Sequence, residues 1–130
     1  MDLNHRLERV ANEFEITKVL TDWAYARDNG DWDLLGNCYH DDATMNISWI
    51  SGPAADFIEK SKAMLAAIKP GAFSKHNVGD ARIHVNGSRA TSEVHIELIS
   101  RMSIPFEQAR RQYVEEFVPS LKLQVTSDAA

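Results

Sequence analysis

Two residues in this chain have the chemistry to exchange a proton with a bound molecule, Asp28 and His76. A carboxylate bonded to one imidazole nitrogen fixes the tautomer and orientation of the ring. The other nitrogen can then take a proton from a carbon beside a carbonyl, and loss of water or another leaving group can follow. General acid–base catalysis of this kind contributes about 10²–10⁴-fold in rate. Leu20, Ala24 and Asp28 recur at four-residue steps, which puts the acid in line with an apolar helix face. A bare charge in that position needs a partner or a proton. The plainer alternative is a helix-end acid that reaches solvent or bonds the following turn. His76 opens a strand in Lys75-His76-Asn77-Val78-Gly79, where a histidine is often merely structural or exposed.

Other chemistries find less support. The five histidines show no metal-site spacing, and His40-Asp41-Asp42 reads as a solvated turn. No nucleophile elbow, phosphate loop or dinucleotide fingerprint is present. The expectation is therefore no metal and no cofactor. The formal net charge of −5 and the lack of a basic face argue against nucleic acid. The N-terminal run Asp2-Leu3-Asn4-His5-Arg6 lacks the apolar centre of a signal peptide. No apolar run approaches the roughly 20 residues that span a bilayer. The single cysteine, Cys38, rules out an intramolecular disulfide and reads as a small buried hydrophobe. A cytoplasmic, soluble protein is expected.

The elements that must position the pair follow from spacing. The 130 residues suit one domain spanning 1–130. Leu3, Leu7, Val10, Phe14, Leu20 and Ala24 predict a helix from about His5 to Asp28, stopped by Asn29-Gly30. Asp31 can cap a short helix over Trp32 to Tyr39. Alternation of Met45, Ile47 and Trp49 predicts one strand over Thr44 to Ile50. Ser51-Gly52-Pro53 opens a helix with buried stripe Phe57, Ile58, Ser61, Met64, Leu65 and Ile68, ended by Pro70-Gly71. Two long strands follow, about Ser74 to Val85 and Arg89 to Ile104, joined by the hairpin signal Asn86-Gly87. On the second, Val94, Ile96, Leu98, Met102 and Ile104 share one face, and Glu93, His95, Glu97 and Arg101 the other. Residues 105–130 mix helical and strand spacing around Pro119.

These residues resemble a known family. Asp28-Asn29-Gly30-Asp31-Trp32-Asp33-Leu34-Leu35 and His40-Asp41-Asp42-Ala43 look like the N-terminal signature of the nuclear-transport-factor-2-like superfamily, and more narrowly of its SnoaL-like branch. Gly52-Pro53 before a helix and Lys75-His76-Asn77-Val78-Gly79 before a hairpin extend the likeness over roughly residues 7 to 104. The resemblance implies an α+β fold: a curved, mostly antiparallel sheet wrapped by N-terminal helices into a cone, a cystatin-like α+β barrel enclosing a pocket. Scytalone dehydratase, bile acid 7α-dehydratase and hexachlorocyclohexane dehydrochlorinase use an aspartate and a histidine that match Asp28 and His76. Their helper groups are not all kept: Arg27, Ile47 and Arg101 stand where scytalone dehydratase has tyrosine, tyrosine and histidine. Residues 105–130 also lack the closing Asp-Gly-x-Trp turn and form an atypical C-terminal segment.

The resemblance implies a cofactor-independent lyase, dehydratase or isomerase acting on a small apolar oxygenated or cyclic substrate, working as a homodimer or homotrimer. Asp28 and His76 would be catalytic, and Trp23, Tyr25, Trp49, His95 and Arg101 would contact substrate. Arg101 has a plainer alternative as a surface arginine paired with Glu93 or Glu97. The competing function is a non-catalytic ligand-binding or structural cone, such as a dioxygenase small subunit.

Overall fold

A computed structural model describes residues 1–101. Expectations for the segment beyond, including the faces of Met102 and Ile104 and the character of 105–130, lie outside the described residues. The first element is the helix α1, Leu3–Asn29. Asp2 caps it, its carboxylate accepting the His5 N–H at 2.9 Å. Gly30 ends it at φ 72, the left-handed conformation that glycine adopts without strain. A Cβ there would also meet Leu65 Cδ2 at 2.8 Å, so a larger residue would have to push the end of that side chain aside. Helix α2, Trp32–Asn37, starts at Asp31, which accepts the Leu34 N–H at 3.1 Å. It stops two residues short of the expected Tyr39.

The predicted strand Thr44–Ile50 is instead a hairpin. Strand β1, Thr44–Ile47, turns through Ser48-Trp49 into β2, Ile50–Pro53. Alternation along a sequence cannot reveal a two-residue turn. Here the turn brings Trp49 over Phe57, with ring centroids 5.6 Å apart. Pro53 therefore belongs to the end of β2, and helix α3 runs Ala54–Ala66. Its buried row is Ala54, Phe57 and Ser61, at helical spacing. Met64 and Ile68 are half-exposed because they line cavities rather than core.

Each of the two long strands is broken once, at the same level. The first gives β3, Phe73–Val78, and β4, Arg82–Asn86; the second gives β5, Arg89–Glu93, and β6, Ile96–Arg101. Strand β3 pairs antiparallel with β6, and β4 with β5. Val78 faces Ile96 and Arg82 faces Glu93, so three residues (79, 80 and 81) oppose two (94 and 95). One extra residue is the signature of a bulge, which bends a sheet and shifts its side-chain alternation. The half-buried positions change accordingly, from Ser74, His76 and Val78 to Ile83 and Val85. The Gly79 N–H still donates to the His95 carbonyl at 2.9 Å across the break.

The hairpin at the far end is also one residue displaced. Asn86 pairs with Arg89, so Gly87 and Ser88 form the turn. Gly87 has φ 59 and Ser88 does not have a positive φ, which is the type II′ arrangement.

The order is thus helices followed by antiparallel strands, an α+β fold, with no closed barrel among the described residues. The core gathers Ala26, Leu35, Ile50 and Phe57, with Trp23, Tyr39 and Met45 packed on it. The N-terminal half of α1 lies outside this core: Leu3, Leu7, Val10 and Phe14 keep the helical period yet are exposed. No helix among the described residues is long and apolar enough to cross a membrane.

Candidate active site

Asp28 reaches His76 from the last turn of α1. Its Oδ1 accepts the His76 ring Nδ1–H at 2.7 Å, and its Oδ2 accepts the His76 main-chain N–H at 2.8 Å. A carboxylate only accepts hydrogen bonds, so the proton of a neutral His76 belongs on Nδ1 and Nε2 is left with its lone pair. The main-chain bond matters as well, because it fastens the carboxylate to the side of β3 that faces away from β6. Strand β3 turns its other edge to β6. The side chains of His76 and Asp28 are 19% and 10% exposed. The contrast within the same molecule is His5, whose Nδ1 lies 3.0 Å from Asp2 but with both side chains about two-thirds exposed. That second pair serves as a helix cap in water; the Asp28–His76 pair is shielded.

The partly buried pair borders a cavity of about 550 Å³. His76 lines it and Asp28 does not, which places the carboxylate behind the imidazole. Helix α1 contributes Val19, Leu20, Trp23 and Arg27, one and two turns apart on one face. Ile96 and Leu98 of β6 enter from the face that carries His76, as the register His76↔Leu98 requires. Trp49 and Phe57 form another wall. The Trp23 and His76 rings meet edge to face, 5.4 Å between centroids and 73° between planes, a favourable aromatic geometry that limits ring rotation.

Behind Trp23 runs a short polar chain. Its indole Nε1–H donates to the Tyr39 hydroxyl at 2.7 Å, and that hydroxyl donates to Met45 Sδ at 3.3 Å. Burial pushes the Tyr39 hydroxyl above the usual phenol range, with the bond from Trp23 opposing and nearby Cys38 adding to the rise. The raised folded value means that Tyr39 contributes full stability below its unfolded value, near 10, and loses it as pH climbs above that. Tyr39→Phe is expected to cost about 1–3 kcal/mol at neutral pH by stranding the indole N–H. It should also reduce the alkaline loss of stability above pH 10. Urea melts at pH 7 and pH 10.5 check both; an alkaline decline of unchanged size contradicts the assignment.

Burial also raises the Cys38 thiol, with Asp22 adding and Lys18 opposing. Its Sγ donates to the Leu34 carbonyl at 3.4 Å. This fits a passive wall residue better than a nucleophile.

Of the predicted contact residues, the structure brings Trp23 and Trp49 to the cavity with His76. Tyr25 does not belong there: it is 67% exposed, because a helix turns it some 200° from Trp23. His95 is exposed, and its neighbour Ile96 takes the cavity face instead. Arg101 lies over the Phe73 ring at 5.9 Å and borders a second cavity beside the first. No ion pair to Glu93 or Glu97 forms among the described residues. Arg27 and Phe57 also line the cavity; spacing marks Phe57 as core and does not mark Arg27 as a cavity residue. The i, i+4 step from Trp23 to Arg27 was the available signal for Arg27. Among the described residues, no group of three metal-ligating side chains converges.

Helices packed on antiparallel strands, with a shielded aspartate–histidine pair at a lipophilic cavity, define a small-molecule-binding cone of the nuclear-transport-factor-2-like class. The chain belongs to the SnoaL-like domain family, whose model matches residues 8–117. The match runs past residue 104, into the segment that departs from the expected closing turn. No curated protein matches the chain.

Proposed function

We propose that the protein is a cofactor-independent lyase or isomerase in which His76 is the general base and Asp28 its positioning partner. The observation that carries this reading is the double hydrogen bond of Asp28 to His76 at the wall of a largely apolar cavity. Nε2 takes a proton from the carbon beside a carbonyl, and the electron pair passes to the carbonyl oxygen as an enolate. The imidazolium, steadied by Asp28, then returns that proton. Delivery to a leaving β-hydroxyl releases water and leaves a double bond; delivery to a different carbon shifts the double bond. Both outcomes balance without an outside oxidant or reductant. The apolar walls suit a small cyclic substrate and keep bulk water from quenching the enolate.

The first chemical step can be tested with a ketone of suitable shape. 2-Tetralone in D₂O, followed by proton NMR, reports removal of its α-protons. The wild-type protein is expected to accelerate exchange at least about 100-fold over His76→Ala, in keeping with the contribution of a positioned base. Equal rates for the two proteins, with a thermal shift showing that both bind the ketone, would instead make this a non-catalytic binding protein.

A further inference from the structure

A second cavity, of about 470 Å³, adjoins the first. The two share three lining residues, Arg27, Met64 and Ser74. Their characters differ. The first is bordered mostly by aromatic and aliphatic side chains; the second keeps an apolar lining in Met64, Leu65, Ile68 and Phe73 but adds Lys69, Lys75 and Arg101 to the shared Arg27 at its border. Among the described residues, four cations border this one cavity in a protein whose formal charge is −5. Among the described residues the one carboxylate on that wall is Asp28, and both of its oxygens are taken by His76. None of the four cations forms a salt bridge among the described residues.

Of the three shared residues, Arg27 is the one that carries a charge. Its Nη2 rests 4.0 Å from Met64 Sδ, a weak acceptor that leaves most of the guanidinium donors available. We propose that Arg27 binds a carboxylate on the substrate at the junction of the two cavities, with the apolar body of the substrate lying against Trp23 and His76. A guanidinium fork takes both oxygens of a carboxylate in parallel, which fixes orientation as well as position. Lys75, Lys69 and Arg101 draw the anion to the junction through their field. Burial presses on the Arg27 charge and Asp28 only partly relieves it, so an incoming anion improves its surroundings. An enolate oxygen alone would need one cation beside His76. The spread of cations into the adjoining cavity fits an anionic group carried by the substrate before reaction.

This inference takes from the acid–base reading only the identity of the cavity, and its test needs no turnover. The probes are 2-naphthoate and its neutral counterpart 2-naphthamide, titrated by calorimetry at low salt into wild type, Arg27→Met, Arg27→Lys and His76→Ala. Wild type is expected to prefer the acid at least tenfold. Arg27→Met should abolish the preference while binding the amide as before, and Arg27→Lys should keep part of it. Thermal melts confirm that each variant is folded. His76→Ala should retain the full preference, since the base does not hold the anion. Equal or undetectable affinity of wild type for the two probes overturns the proposal, as does a preference that survives in Arg27→Met. Either result leaves the 2-tetralone exchange untouched, so a failed anion site and a failed base are told apart.

Discussion

Replacing Asp28 with asparagine is expected to lower turnover by about 10³–10⁴-fold while leaving the protein folded. The reason lies in what the two oxygens of Asp28 accept. One takes a ring N–H and the other a main-chain N–H of the same residue. Asparagine has one oxygen and one NH₂ in place of the two. The main-chain N–H cannot give up its proton, so the amide oxygen must face it. The NH₂ then points at Nδ1, which has to become the acceptor. The imidazole proton moves to Nε2, and the nitrogen facing the cavity can no longer take a proton from substrate. The shape of the site survives, and the cost to stability should be about 1 kcal/mol, the worth of one weakened hydrogen bond. Deuterium exchange into 2-tetralone reads the loss, and a melting curve reads the stability. Turnover equal to wild type would remove Asp28 from the mechanism.

The largest effect on stability is expected at Phe57. This side chain is 2% exposed. It stacks with Trp23 at 6.2 Å and meets the rings of Tyr39 and Trp49 at 6.4 and 5.6 Å. It thereby ties α1, the segment after α2, the β1–β2 turn and α3 together. Phe57→Ala removes the ring and leaves a void, at a cost of about 3–5 kcal/mol. That is a large part of the marginal stability of a small domain. Phe57→Leu keeps most of the volume and should cost clearly less. Chemical denaturation of both variants checks the ranking. If alanine cost less than about 1 kcal/mol, Phe57 would not be the hub that these contacts describe.

The large elements of the fold were legible in the sequence because each has a local cause. Gly30 and Asp31 mark helix ends through a left-handed turn and a cap, and these act within three or four residues. Asp28 and His76 were legible through residue type, helix face and order along the chain. The details that escaped depend on what lies across space. Ser48-Trp49 turns the chain, but its turn has no glycine or proline to announce it. The bulge at residues 79–81 shows only when the β3–β6 and β4–β5 registers are compared. The hairpin at Gly87-Ser88 differs from an Asn86-Gly87 turn by one residue, a difference set by which strand residues pair. The resemblance makes Tyr25 a substrate contact, yet its place on α1 carries it away from the apolar His76 cavity, to a smaller depression on the other side of the Asp28–His76 pair. Arg27 looked like a departure from a family pattern; its position between two cavities gives it a role of its own.

The central claim is that Asp28 holds the His76 ring with its proton on Nδ1 and its lone pair toward the cavity. Nitrogen-15 NMR of the histidine side chains measures this directly, with Asp28→Asn assigning the His76 signals. In the neutral ring of the wild-type protein, Nδ1 is expected to show the shift of a protonated nitrogen and Nε2 that of a bare one. The order should reverse in Asp28→Asn. A wild-type His76 that carries its proton on Nε2, or that exchanges between tautomers as freely as a solvent-exposed histidine, would contradict the account.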